Sequence, residues 1–299
     1  MTHPFDRLDA AAAPDDSFLA GGHLWRAEYP EGTPMRVRLA TQGTLELAVP
    51  ADPGWPAAAR GVDRWRRVGA SEAPPTLGFA ARALRRQFDR AALRAATDDA
   101  TRVAFECVAV HRRRRDYHWE QTPAVVAVDA AHPTASFLPH ELRQLIEGVG
   151  VAPAPTIRAE TPASRVAPEP LPTSVWRDGP VFGVYSHKKP DGVALRLTDE
   201  TALEPLSEAG DELTAPERAA GDDRAEPVDA TTLAADWVTA ERVRRAHERV
   251  AEPTVDRVGT ATFDRLVRAR FPTVVESGVD VETLRDAVVA RVARTWDGE

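Results

Sequence analysis

Between Met35 and Val49 the side chains alternate in character: Met35-Arg36-Val37-Arg38-Leu39, a Thr41-Gln42-Gly43 turn, then Thr44-Leu45-Glu46-Leu47-Ala48-Val49. Successive side chains of a strand point to opposite faces, so this pattern predicts an antiparallel hairpin covering a core with one face, inside a strand-like stretch from 23 to 49. The fold must therefore contain an antiparallel sheet and something to bury it. Further strand-like runs follow at Arg102 to Val110 and, short and apolar, at Ala124 to Val128. Val181 to Ser186 and Gly192 to Leu197 read as a second hairpin around Lys189-Pro190-Asp191-Gly192, a strong turn signal.

Helical spacing supplies the cover. Phe79, Ala83, Leu84 and Phe88 recur among arginines between Phe79 and Ala95, predicting one or two arginine-coated helices. Leu138, Leu142, Leu145 and Ile146, with Pro139 at the start and Gly148 and Gly150 at the end, predict another. Val151 to Pro172, rich in proline and polar residues, reads as a loop crossing the surface, and the acidic stretch from Thr198 to Asp229 as a linker or mobile arm. Beyond it, Val238 to Val250 looks helical, and Asp280 can cap a helix whose Val281, Leu284, Val288 and Val292 share one face. The expectation is an α+β domain over residues 15–200, an acidic linker over 201–230 and a small helical C-terminal domain over 231–299.

Composition narrows the chemistry. The only lysines among the 299 residues are Lys188 and Lys189, so lysine chemistry has two candidates. Arginine in place of lysine, with abundant Ala, Val and Asp, suggests a GC-rich genome. A net charge of -8 works against general adhesion to nucleic acid, so any nucleic-acid site has to be local. Cys107 is the single cysteine, which excludes an intrachain disulfide and a cysteine zinc knuckle. The histidines show no ligand spacing, and His140-Glu141 lacks the second histidine of a zinc protease helix, so no metal site is expected. There is no phosphate loop, Rossmann fingerprint or nucleophile elbow. Without a signal-like start or a run of eighteen apolar residues, a soluble cytoplasmic protein with no membrane partner is expected.

One ordered set of residues points further. Gly22-His23-Leu24-Trp25, Glu28, Gly32, Pro34 and Arg36 are followed by Ala81-Arg82, Phe88-Asp89-Arg90, His111-Arg112, Asp116-Tyr117-His118-Trp119, Val128-Asp129, Phe137-Leu138-Pro139, Asp178-Gly179-Pro180 and Gly183-Val184. In order and spacing the chain resembles the archaeal (haloarchaeal-type) RNA ligase family of covalent nucleotidyltransferases over residues 15–200. The resemblance implies a nucleotidyltransferase (ATP-grasp-like) RNA ligase domain of antiparallel sheets, RNA as partner, and ATP and Mg²⁺ as cofactors where the family activity persists. In that family a lysine attacks the α-phosphate of ATP, AMP passes to an RNA 5'-phosphate, and a 3'-hydroxyl displaces it. Carried over by position, the nucleotide-pocket candidates are Tyr29, Glu31, Gly32, Arg36, Glu106, Asp178, Lys188 and Arg196.

The sequence departs from the family where the chemistry is done. Tyr29 stands where the lysine opens a Lys-x-Asp-Gly motif, and a phenol titrating near pH 10 is a poor substitute for an amine. The strand end that carries an arginine in the family reads Leu47-Ala48-Val49-Pro50 here. Val108 occupies the position of the ribose-binding glutamate, with Glu106 two residues away on the same strand face. The closing lysine of the last motif falls at Leu195 or, with a one-residue slip, at Arg196. The literal Lys189-Pro190-Asp191-Gly192 reads as a turn, since too little chain follows it for a catalytic domain. Together these departures imply a kept fold and lost adenylyl transfer: an RNA ligase-like pseudoenzyme that binds nucleic acid, nucleotide or a partner. Two alternatives stand beside it, an active ATP-dependent RNA ligase in which Lys188 or Lys189 approaches the pocket, and a structural subunit paired with an active ligase paralogue.

The run Arg112, Arg113, Arg114, Arg115 with Tyr117 and Trp119 combines charge with flat rings, as phosphate contact plus base stacking requires, and equally suits a solvated strand end paired with acids. Arg64, Arg66, Arg67, Arg82, Arg85 and Arg86 would extend the patch if the fold gathered them.

Overall fold

A computed structural model describes residues 14–50, 65–134, 137–166, 170–188, 192–197 and 229–296. The Pro190-Asp191 turn, Lys189, Arg64 and the acidic stretch 198–228 lie outside the described residues.

Among the described residues, ten strands form two sheets. The alternating hairpin is present as β2 (Gly32–Leu39) and β3 (Leu45–Pro50), with Val37 opposite Leu47 and Leu39 opposite Leu45. It lies in a six-stranded sheet with β4 (Trp65–Gly69), β5 (Ala104–Val110), β6 (Val125–Ala131) and β7 (Ala152–Pro153), in the order β4-β3-β2-β5-β6-β7. The pairs are antiparallel except β6 with β7. The preceding strand, β1 (His23–Tyr29), leaves for a second sheet with β8 (Thr156–Pro162), β9 (Gly183–Lys188) and β10 (Gly192–Leu197), in the order β10-β9-β1-β8. The sequence reading of 151–172 as a loop is corrected here: β8 pairs along β1, from His23 opposite Pro162 to Ala27 opposite Thr156. It is an edge strand with mostly exposed side chains, so it carries no apolar alternation to read.

The helices are α1 (Asp16–Leu19), α2 (Gly78–Gln87), α3 (Arg90–Ala96), α4 (Pro139–Gly148), α5 (Ala230–Trp237), α6 (Ala240–His247), α7 (Val255–Ala269), α8 (Phe271–Glu276) and α9 (Val281–Trp296). The predicted cap of α9 is present, with Asp280 Oδ2 accepting the Thr283 N–H at 2.8 Å, and Leu284, Val288 and Val292 are buried. In α4 the Glu141 carboxylate reaches back to accept the Leu138 N–H at 2.7 Å.

Alternation on the central sheet explains the layering. Met35, Val37, Phe105, Cys107 and Ala109 face one way and share a single core with α2, α3, α4 and the helices of residues 230–296. Val108, Val110, Val126 and Val128 face the other way and pack against Tyr29, Tyr185 and Leu195 of the second sheet. The arrangement is therefore sheet on sheet on helices. The C-terminal helices dock directly on the first domain. Within them α7 and α9 cross closely at Gly259, where an added Cβ would stand 2.9 Å from Val289 Cγ2, so a helix-weakening glycine is kept for its lack of a side chain.

Polar contacts fix the docking. Arg268 of α7 is buried, donating through Nε to the Val110 carbonyl at 2.9 Å and through Nη2 to the Thr122 and Pro123 carbonyls at 2.9 and 2.7 Å. Its guanidinium lies 5.3 Å over the Trp119 ring. Burial pushes its pKa down, yet arginine remains cationic at neutral pH, and three carbonyl oxygens replace the lost water. His111 stacks on Phe271 with centroids 3.6 Å apart. It contacts the Arg112 carbonyl through Nδ1 and Thr33 Oγ1 through Nε2. A carbonyl can only accept, so Nδ1 carries the proton and the ring is neutral; burial holds its pKa down at about 3.

Candidate functional site

The chain has three tyrosines, and all three are buried in the layer between the sheets. Tyr29 ends β1, Tyr185 lies on the neighbouring β9, and their rings stack at 6.5 Å with an interplanar angle of 19°. Opposite them the central sheet presents its charged residues. Arg36 of β2 is directly paired with Glu106 of β5, and their side chains meet through Nε and Oε2 at 2.8 Å, both nearly buried. The Arg36 guanidinium also lies 4.5 Å over the Trp65 ring of β4. Asp129 of β6 is opposite Glu106 and accepts the Tyr185 hydroxyl at 2.8 Å. Tyr29, Arg36, Glu106, Asp129, Tyr185 and Trp65 thus form one polar cluster in an otherwise apolar layer.

The electrostatics follow from burial. Glu106 is pushed up to about 7, first by burial, with Arg36 pulling against that and Asp129 adding to it. Burial and then the nearby Glu106 charge raise the Tyr29 hydroxyl above its ordinary value, so it is a worse source of phenolate than a free tyrosine. Tyr185 is raised in the same way, by burial and then Asp129.

The turn between β1 and β2 is built around Glu31. Its carboxylate is buried and accepts the backbone N–H groups of Arg114 and Arg115, each at 3.0 Å, while its own N–H donates to the Tyr117 hydroxyl at 2.9 Å. Consecutive amides converging on one anion make a nest, here filled by a side chain of the protein itself. Burial raises the Glu31 pKa and the amides oppose that rise. Gly32 is required by contact alone: a Cβ would lie 2.2 Å from the Ala109 carbonyl on β5.

The remaining candidates divide. Strand alternation sends Leu195 into the inter-sheet layer and Arg196 to the opposite face of the second sheet, so Arg196 does not face the tyrosines. Lys188 lies on that opposite face as well, five residues along β9 from the partner of Tyr29, about 17 Å at ~3.3 Å per residue. Its ammonium donates to the Phe18 carbonyl at 2.8 Å and lies 5.5 Å over the Phe18 ring, so it is a fixed part of the fold rather than an approaching nucleophile. Asp178 is fully exposed in the loop before β9, 3.8 Å from His118.

The Arg112–Arg115 run is turned inward by its backbone. The Arg112 N–H donates to the Arg268 carbonyl at 2.8 Å, Arg113 is half-buried near Glu31, and Arg114 is exposed. Arg115 donates to the Val181 carbonyl at 3.3 Å, over the Phe182 ring. Tyr117 is in the core and is not presented to a base, whereas Trp119 is half-buried, held by Asp116 at 2.7 Å and packed against the Arg268 guanidinium. Nor is the wider arginine patch gathered. Arg82 pairs with Asp264, from which Arg86 is 3.9 Å away, whereas Arg67 and Arg85 line a groove at the far end of the central sheet.

Tyr185 and Trp65 were not singled out by the sequence, and Asp129 entered only through the resemblance. Their signal is combinatorial: each sits on the same strand face as Tyr29 or Arg36 once pairing is known, and pairing is not written in one strand. The cavity beside Tyr185, lined by Trp25, Ala27, Val128 and His187, holds about 70 Å³, against roughly 300 Å³ where small-molecule pockets begin. Arg36 and Asp129, which could hold phosphate and ribose, are engaged with Glu106 and Tyr185. Among the described residues no group of three or more His, Cys, Asp or Glu side chains could hold a metal ion, and no helix is long and apolar enough to cross a membrane. No family model matches the chain, and no curated protein is significantly similar to it.

Proposed function

We propose that this protein is an RNA ligase-like binding protein that does not transfer adenylate. The observation that carries the reading is the setting of Tyr29: a buried phenol at the motif position of the nucleophile, with Arg36, Glu106 and Asp129 grouped around it and bonded internally. Adenylyl transfer needs a nucleophile that can lose its proton near neutral pH. The Tyr29 hydroxyl is moved away from that range, and Lys188 is held on the other face of its sheet. The inter-sheet layer then acts as a packed joint between the two sheets, and recognition falls to the outer surfaces.

The test is covalent labelling. Incubation with α-labelled ATP and Mg²⁺ followed by denaturation is expected to leave no label on the chain, beside an intact ligase that does become labelled. Label that survives denaturation and disappears in Tyr29→Phe or Lys189→Ala would overturn the reading.

A further inference from the structure

The arginines of the C-terminal helices are largely neutralised: Arg244 and Arg245 pair with Glu241, Arg249 with Glu120 and Arg257 with Glu252. In a chain where acids outnumber bases by 46 to 38, that is the expected state. Arg85, Arg90 and Arg94 differ, since none of them has a carboxylate partner among the described residues, and Arg90 Nε is buried without a hydrogen bond. Arg90 and Arg94 are also four residues apart on α3, a like-charge spacing that costs a few tenths of a kcal/mol in a helix.

The fold converges these three on one place. Arg85, at the end of α2, and Arg90, at the start of α3, line a groove of about 550 Å³ against edge strand β4 and the β2–β3 turn. The Arg94 guanidinium reaches the same turn, where a Cβ on Gly43 would lie 3.2 Å from its Nη2. Arg67 lines the opposite wall. The two carboxylates in the groove are engaged, Glu46 by Arg38 and Glu72 by the Gly69 N–H at 3.2 Å. None of the lining residues is aromatic, so the groove has charge and no stacking platform.

We infer that this groove binds the phosphodiester backbone of single-stranded RNA, independently of base identity. The inference rests on the RNA ligase-like binding reading proposed above, with RNA taken as what the outer surface recognises, and it locates binding away from Arg112–Arg115, about 23 Å distant along β2. Phosphate contacts position a strand without reading its sequence, which is what arginines without rings supply.

The full-length chain would be titrated with fluorescein-labelled oligo(A) and oligo(U) RNA over a salt series, as wild type, Arg85→Ala/Arg90→Ala/Arg94→Ala and Arg113→Ala/Arg115→Ala. Wild type should bind both RNAs within about threefold of each other. The groove variant should lose roughly tenfold or more at low salt and about 2 units of the log–log salt slope, since each single-strand phosphate contact contributes about 0.7. Far-UV circular dichroism and melting should be unchanged in that variant, because among the described residues these side chains have no hydrogen-bond or carboxylate partner. Loss confined to the Arg113/Arg115 variant, strong preference for one RNA, or stabilisation by free inorganic phosphate without RNA binding would each overturn the groove. Covalent labelling by ATP alongside groove-dependent RNA binding would instead overturn the reading it rests on.

Discussion

The two faces of the central sheet both bury charge, and they use it differently. On the helical side Arg268 spends its donors on three backbone carbonyls and His111 is neutral, so charge and polarity there are matched to fixed backbone groups. On the other side Glu106 meets only another side chain, Arg36, and its pKa lies near neutrality. Backbone-satisfied polarity pins elements together, whereas side-chain pairs can be rearranged by a ligand or a proton. A buried ion pair is thus weak evidence of stability, and a buried arginine capping open carbonyls is strong evidence.

Substitution should separate the two faces by size. Arg268→Ala removes the guanidinium donors of three carbonyls and the cation packed against Trp119; a loss of about 3–5 kcal/mol in urea unfolding is expected. A loss under about 1 kcal/mol would mean that apolar burial alone holds the helices.

Proton linkage should separate them by sign. Glu106 is raised from 4.5 to about 7, so its contribution is present below pH 4.5 and is lost as pH rises through 7. His111 is depressed from 6.5 to about 3, so its contribution is present above pH 6.5 and is lost as pH falls toward 3. Between pH 4.5 and 6.5 the two oppose each other. Glu106→Gln should make stability rise more steeply with pH in that window, by up to about 1.4 kcal/mol per unit, and His111→Gln should shift the slope the opposite way. Equal slopes in wild type and both variants, measured by urea unfolding across the window, would remove the distinction.

Smaller effects refine it. Tyr185→Phe removes one hydrogen bond to Asp129 and should cost about 1–2 kcal/mol by thermal melting. Arg249→Ala breaks an exposed pair at the rim of the helical dock and should cost no more than about 1 kcal/mol. A larger cost would show that the rim, and not Arg268, carries the polar part of the dock.

What could be read beforehand follows the same division. The β2–β3 hairpin was legible because Val37, Leu39, Leu45 and Leu47 alternate with polar residues, and α9 because Asp280 precedes a clean apolar stripe. β8 was not, since its exposed Thr156, Arg158, Ala159 and Glu160 leave no period to detect. Helix α7 was covered only by the general expectation of a helical tail, and the reason for its Gly259 is a neighbouring helix further along the chain. For the site, Tyr29, Arg36 and Glu106 were named from order and spacing and do come together. Lys188 and Arg196 were misplaced because one residue of strand register decides which face a side chain takes.

Glu31 acts as a latch between two parts of the chain that are otherwise distant in sequence. Because its carboxylate holds the amides of Arg114 and Arg115 and its own amide is tied to Tyr117, the turn beside Tyr29 cannot shift by itself. Prying the sheets apart at the tyrosines would drag the arginine loop along, and that loop is hooked through Arg112 onto α7. The joint, the loop and the helical cap are therefore tied into one continuous hydrogen-bonded chain, with a single carboxylate at its centre.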